Sequence, residues 1–160
     1  MFRQMRRKNQ LLPKDRTIEI LEKASSGTLA LLGDNDYPYA VPISYVYSGG
    51  KIYFHSANSG HKIDAIKKCN KASFCVIEQD KVVAKEYTTY FRSVIAFGKI
   101  RIIEDEEEKY NAIKILAEKY SGEYKEGIET EIKRFFNALT MIELDIEHIT
   151  GKEAKELVKK

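Results

Sequence analysis

The sequence predicts a mainly β domain with α: a small antiparallel barrel of about six strands, with helices packed outside it. Three observations point there. Runs rich in β-branched and aromatic residues recur along the chain, and two of them, YAVPISYVY and KIYFHS, are joined by a hairpin turn at Gly49-Gly50. Helix-periodic segments are few, so the regular strand–helix alternation of a parallel doubly wound sheet is absent. No repeat period is visible.

The elements follow in order. Asp15 is placed to cap a short helix carrying Ile18, Ile20 and Leu21. Gly27 opens TLALL, a short apolar run that reads as a buried strand. GDNDYP is a turn, punctuated by Gly, Asn, Asp and Pro. In YAVPISYVY, alternation puts Tyr39, Val41, Ile43, Tyr45 and Tyr47 on one face, and KIYFHS returns as the partner strand. Residues 63–69 read as a helix with Ile63 and Ile66 on one face. KASFCVIE and YTTYFRSVIAFGKIRII read as two long strands; EQDKVVAKE between them is a loop or a frayed strand extension. The acidic run at 104–108 opens a helix with apolar positions Ile113, Leu116, Ala117 and Tyr120. Acids suit the positive end of a helix, so this is a solvated helix start rather than a metal site. SGEYKEG is a loop, residues 128–136 another helix, and TMIELDIEHI a last strand. The whole, 1–160, reads as a single domain with a basic N-terminal arm (1–11) and a charged C-terminal tail (149–160) expected to fray.

Composition sets bounds. A chain of 160 residues with 43% hydrophobic residues can bury a real core. A formal net charge of +3 is too small to argue for nucleic acid. No apolar run is long enough for a membrane span. The basic start, MFRQMRRKNQ, has no apolar core behind it as a secretory signal needs, so a cytoplasmic location is expected. Cys69 and Cys75 fit neither a disulfide framework nor a zinc pattern.

Three segments carry chemistry. FHSANSGHK lies between a strand-like and a helix-like run. A helix starting near Gly60 would turn unpaired N–H groups into that corner, which is a ready anion site. Ser56 and Ser59 would add hydroxyl donors, Gly60 would let an oxyanion approach, and Lys62 would add a point charge. An ordinary helix capped by Ser59 or Asn58 is the competing reading. In YAVPISY, Pro42 interrupts a strand pattern and belongs at an edge or bulge. A flat ligand there would use free backbone groups from Val41 to Ser44; a plain edge proline is the alternative. In YFRSVIAFGK, Arg92 and Ser93 interrupt an apolar strand and face either a ligand or solvent. No nucleophile–base–acid set, Walker loop or metal motif is present, and His55, His61 and His148 are scattered. Any enzymatic chemistry would therefore reside in a cofactor.

Together, DYPYAVPISYVY, KIYFHSANSGHKIDAIKKCN, TTYFRSVIAFGKIRIIEDEEEKYNAI and the closing IELDIEHITGKEAK resemble the pyridoxamine 5′-phosphate oxidase-related FMN-binding split-barrel family. Within it they are most similar to the 5-nitroimidazole resistance (Nim-like) flavoproteins. The resemblance implies a six-stranded antiparallel split β-barrel with flanking helices, forming a homodimer with FMN at its interface. It implies that Gly60, His61 and Lys62 hold the FMN phosphate, with Ser56 and Ala57 beside it. Val41, Pro42, Ile43 and Ser44 would run along the isoalloxazine ring, and Ser93 and Val94 would approach from the neighbouring strand. It implies a histidine near the flavin, for which His55 is the first candidate and His61 the second.

The position resembling a phosphate-binding arginine of the oxidase falls in AVPIS, which has none, and GKEAKELVKK offers no arginine-rich substrate clamp. Vitamin B6 oxidation is therefore not expected. The expected function is an FMN-dependent oxidoreductase passing electrons from a reduced donor, such as a nicotinamide, to a small planar acceptor, with nitroimidazoles or other nitroaromatics in view. The competing classes are a non-enzymatic flavin-binding or sensing protein, and a split barrel that binds haem or a deazaflavin.

Overall fold

In the computed structural model, residues 1–158 are described. They run α1 (Lys14–Lys23), β1 (Ser26–Leu32), β2 (Pro38–Ser44), β3 (Val46–Ser48), β4 (Lys51–Ala57), α2 (His61–Lys68), β5 (Lys71–Val83), β6 (Thr88–Ile102), α3 (Glu106–Ser121), α4 (Lys125–Phe135) and β7 (Leu139–Glu153). The seven strands form one antiparallel sheet in the order β2-β1-β5-β6-β7-β4-β3.

Six strands were expected and seven are found, because YAVPISYVY is split at Tyr45. Its first part, β2, pairs with β1; its second part, β3, pairs with β4. These are the two edges of the sheet, and among the described residues no ladder joins them. A flat sheet of seven strands would hold its edges roughly 29 Å apart at ~4.8 Å per strand. Tyr45 alone links them, so the sheet must curl almost closed. Its side chain is fully buried, and its hydroxyl donates to the carbonyl of Leu21 at 2.6 Å. Its backbone N–H donates to the Tyr120 hydroxyl at 3.0 Å, so α3 ties down the junction from outside.

Period-two alternation sorts residues between two apolar clusters. Phe54, Phe74, Val94, Ile142 and Leu144 point inward and pack with Ile20 and Leu21 of α1 and Ile63 and Ile66 of α2. Val46 and Met141 point outward, beneath Ile113 and Leu116 of α3 and Ile128 and Ile132 of α4. Glu143 shares that outer face and is only 5% exposed. Burial would raise its pKa, but Arg101 and Lys51 outweigh that and hold it below the usual carboxylate value. Arg101 Nε and Lys51 Nζ each lie 3.0 Å from it. Where β6 crosses β7, a Cβ on Gly98 would stand 2.0 Å from the Asp145 carbonyl oxygen, so only glycine fits the register shift there.

Several local expectations are corrected. Asp15 does not cap α1: Pro13 occupies that position, and Asp15 lies in the first turn, facing the helix's positive end. At α3 the expected acidic start holds, with Asp105 accepting from the Glu108 N–H at 2.8 Å. EQDKVVAKE is mostly strand. Past a shift between Ile77 and Gln79, β5 stays paired with β6 to Val83. Its polarity misleads because this two-stranded ribbon lies beyond the other strands and is largely solvated. α4 begins at Lys125, inside the segment read as a loop. The tail boundary at 149 is too early, since β7 runs to Glu153 and pairs with Arg92. Residues 159 and 160 of the expected tail lie outside the described residues. The basic arm is also tied down: Leu11 bridges Lys152, Gln10 donates to the Glu153 carbonyl at 3.0 Å, and Phe2 stacks on His148 at 4.8 Å. Among the described residues no helix is long and apolar enough to cross a membrane.

Candidate functional site

The corner after β4 is built by three locks. Asn58 donates to the Asn137 carbonyl at 2.9 Å and accepts from Thr140 at 2.8 Å, so its side chain is turned away from α2. Gly60 then takes φ 132 and ψ 173, a region open almost only to glycine. His61 stacks on Tyr39 at 4.0 Å, and its Nε2 accepts from the Asp34 N–H at 3.3 Å. That approach requires Gly33, where an added Cβ would stand 3.0 Å from His61 Nε2.

No side chain caps α2, so neither Ser59 nor Asn58 serves as the cap of the competing reading. Its ladder begins with the Asp64 N–H bonded to the Gly60 carbonyl at 3.1 Å. The N–H groups of His61, Lys62 and Ile63 therefore precede it and carry the helix's positive end. Nothing stands within 4 Å of a Cβ built on Gly60, so there is room for an oxyanion against the backbone. Lys62 is half-buried and, among the described residues, enters no ion pair. By charge, donor set and space, these residues fit a phosphate.

The second half of the site is the sheet edge. Val41 and Ile43 pack toward the core, while Pro42 and Ser44 are exposed. Pro42 sits on an edge strand, opposite Thr28, where its missing N–H costs no central ladder bond. Ser44 and His55 line one cavity of about 440 Å³, which extends under α3 to Tyr120 and Met141. On β4, His55 and Ala57 are exposed on the helix-facing side; Ser56, between them, points the other way and is half-buried.

The expected set is thus gathered in part. Val41 to Ser44, His55 to Ala57 and Gly60 to Lys62 lie along β2, β4 and the start of α2, and β2 and β4 approach one another. His61 contributes its backbone N–H, but its ring serves the Asp34 turn rather than the corner. The Val94 side chain is fully buried in the core, which leaves its backbone as the part that could approach a ligand. Ser93 lies on the opposite, outer face of β6 and pairs with Lys152, whereas Ser56 pairs with Thr140. From Thr140 to Lys152 is twelve residues, on the order of 40 Å of extended strand.

Sequence reading missed Tyr39 and Gly33, which seat His61, and Tyr120, which closes the groove beside His55. In the sequence Tyr120 stands only as an apolar position of α3. Its hydroxyl bonds both the N–H and the carbonyl of Tyr45, the carbonyl at 2.6 Å. Gly33 opens the GDNDYP turn and Tyr39 follows directly after it, but nothing local in that turn marks either as a partner of His61.

A sequence profile for the family described as Pyridoxamine 5′-phosphate oxidase matches residues 13–153. No curated protein matches the sequence. Among solved structures, one assigned to 5-nitroimidazole antibiotic resistance in Bacteroides thetaiotaomicron is 23% identical, with 89% of this chain and 86% of that one covered and a TM-score of 0.73. A conserved hypothetical protein from Mycobacterium tuberculosis is 16% identical, covers 98% and 94%, and reaches a TM-score of 0.82. An FAD-binding protein from Mesorhizobium loti is 23% identical, covers 91% and 97%, and has a TM-score of 0.66. At these identities the likeness is one of fold.

Proposed function

The chain belongs to the pyridoxamine 5′-phosphate oxidase family, and from that premise we propose that it is a flavoprotein holding FMN at the corner after β4 and along the β2 edge. The observation that carries this reading is the uncapped start of α2, with Gly60 at φ 132 and beside it Lys62, which enters no ion pair among the described residues. The N–H groups of His61 and Lys62 and the Lys62 ammonium hold the phosphate. The backbone from Val41 to Ser44 orients the flavin ring, and Ser56 and Ala57 border its phosphate end.

When bound, the flavin supplies redox chemistry between a reduced donor, such as a nicotinamide, and a small planar acceptor, nitroaromatics among them. His55 faces the groove at the ring's side and holds or releases a proton at an imidazole nitrogen, or positions the acceptor. AVPIS and the C-terminal segment supply no arginine for a second phosphate, which argues against a phosphorylated vitamin B6 substrate.

The functional unit is a homodimer. Ser93 cannot reach the corner within its own chain, so a second copy presents it. The outer face that carries Ser93 also exposes Ile77, Ile95 and Phe97, apolar side chains that a partner would cover.

FAD is the alternative flavin, favoured because similar structures from Mesorhizobium loti and Mycobacterium smegmatis are described as FAD-binding. The test is the visible spectrum of the purified chain before and after adding FMN or FAD, followed by identification of the flavin released on denaturation. A flavin spectrum that survives desalting supports the reading. A colourless protein that binds neither overturns it.

A further inference from the structure

Beyond the cavity that Ser44 and His55 line, a second cavity of about 340 Å³ lies between α3 and α4. The two share Ile113, Ala117, Ser121, Phe135 and Leu139, so they are one continuous groove. Its size falls in the range of small-molecule sites. One end is polar, with His55, Ser44 and the Tyr120 hydroxyl; the walls are apolar; the far end carries Glu131 and Tyr124. Among the described residues the lining contains no lysine or arginine.

We propose that this groove is the acceptor site, and that it takes an uncharged apolar molecule with one polar head at His55 and its apolar body between α3 and α4. The inference rests on the flavin reading, since it is continuity with the β2 edge and His55 that makes the groove an acceptor site. Charge complementarity sets the ligand class. An anionic tail would meet Glu131, whose partner Arg134, at 3.7 Å, lies outside the lining and is already engaged by that carboxylate, so phosphorylated and carboxylated molecules are disfavoured. An uncharged body loses only water, and each face of the groove rewards apolar contact. The small side chains of Ala117 and Ser121 set the width where the two cavities join.

The test uses Nile red, an uncharged apolar dye, titrated into the full chain as purified. Expected is saturable fluorescence with one site per chain, displaced by uncharged quinones and not by pyridoxamine 5′-phosphate. Ala117→Phe and Ser121→Phe fill the same neck from different turns of α3. Each is expected to weaken the dye at least about tenfold, with far-UV circular dichroism and flavin content unchanged. Ser121 is at the exposed end of α3, which keeps the test open if Ala117→Phe fails to fold. Wild-type dye affinity in a folded Ser121→Phe chain overturns the proposal. So does loss of dye accompanied by a change in oligomeric state, which would make the groove an interface. Retained flavin without saturable dye binding sinks the groove and leaves the flavin reading standing. Saturable dye binding in a chain that takes up no flavin sinks the flavin reading, and with it the acceptor role, leaving only an apolar binding groove.

Discussion

Gly60→Ala separates backbone strain from steric clash at the proposed phosphate corner. A Cβ there meets nothing within 4 Å, so no clash contributes. The cost comes from φ 132 and ψ 173 alone, a region that costs a non-glycine residue about 1–3 kcal/mol. Against a mid-range cost of about 2 kcal/mol, the lost freedom of the unfolded chain offsets about 0.4–1 kcal/mol, leaving a net loss of roughly 1–2 kcal/mol. For a chain of this size that is a melting temperature lower by roughly 2–8 °C. The assay is thermal and urea unfolding of flavin-free protein followed by far-UV circular dichroism, with flavin affinity measured separately. Affinity should fall as well, because relaxing φ turns the first N–H groups of α2 away from the corner. Ser59→Ala is the control: α2 has no side-chain cap, so its loss should stay within about 0.5 kcal/mol. The reasoning is refuted if Gly60→Ala melts like the parent, or if Ser59→Ala costs as much as Gly60→Ala.

Lys62→Ala should raise the dissociation constant for FMN roughly ten- to a hundredfold, the value of a charge-assisted bond, while leaving the melting temperature unchanged; equilibrium titration would contradict the assignment by showing parental affinity. His55→Ala should keep FMN and lose turnover with a nicotinamide donor and a nitroaromatic acceptor; full activity removes His55 from the chemistry. Tyr120→Phe deletes the hydroxyl that serves the Tyr45 N–H, and should cost about 1–3 kcal/mol with faster hydrogen exchange at the Tyr45 amide. The pKa of Glu143 is depressed in the folded chain, so the stability it contributes is present above its unfolded value of about 4.3 and is lost as pH falls through the lower folded value. Glu143→Gln should therefore narrow the stability gap from the parent as pH drops below about 4.3, and a gap that widens on acidification would reverse the sign.

Much of this protein is local and was legible in order. Strand periodicity, the Gly49-Gly50 turn, the acidic start of α3 and the placement of Pro42 on an edge all follow from side chains acting on their own backbone. So does the helix start near Gly60, because a left-handed or extended-positive φ has few other tenants than glycine. Charge misled where tertiary pairing overrode it. The polar segment 78–83 lies in β5, since a solvated ribbon tolerates polar residues on both faces, and residues 149–153 lie in β7, where Arg92 pairs with Glu153 at 3.1 Å.

What only the tertiary structure decided is long-range. The single apolar run YAVPISYVY does not announce that it changes sheet edges at Tyr45, because the cause is a distant hydroxyl on Tyr120 and a carbonyl on Leu21. The ring of His61 turns to Asp34 rather than to the corner because Gly33 and Tyr39, far back in the chain, leave a slot for it. The resemblance marks Ser93 and Val94 alike, but the strand period turns the Val94 side chain into the core and Ser93 outward. The groove beside His55 exists because two late helices settle on the outer face of β4 and β7. Short-range preferences write the elements into the sequence; which distant side chains meet is fixed by packing, where a residue's partner is no neighbour in the chain.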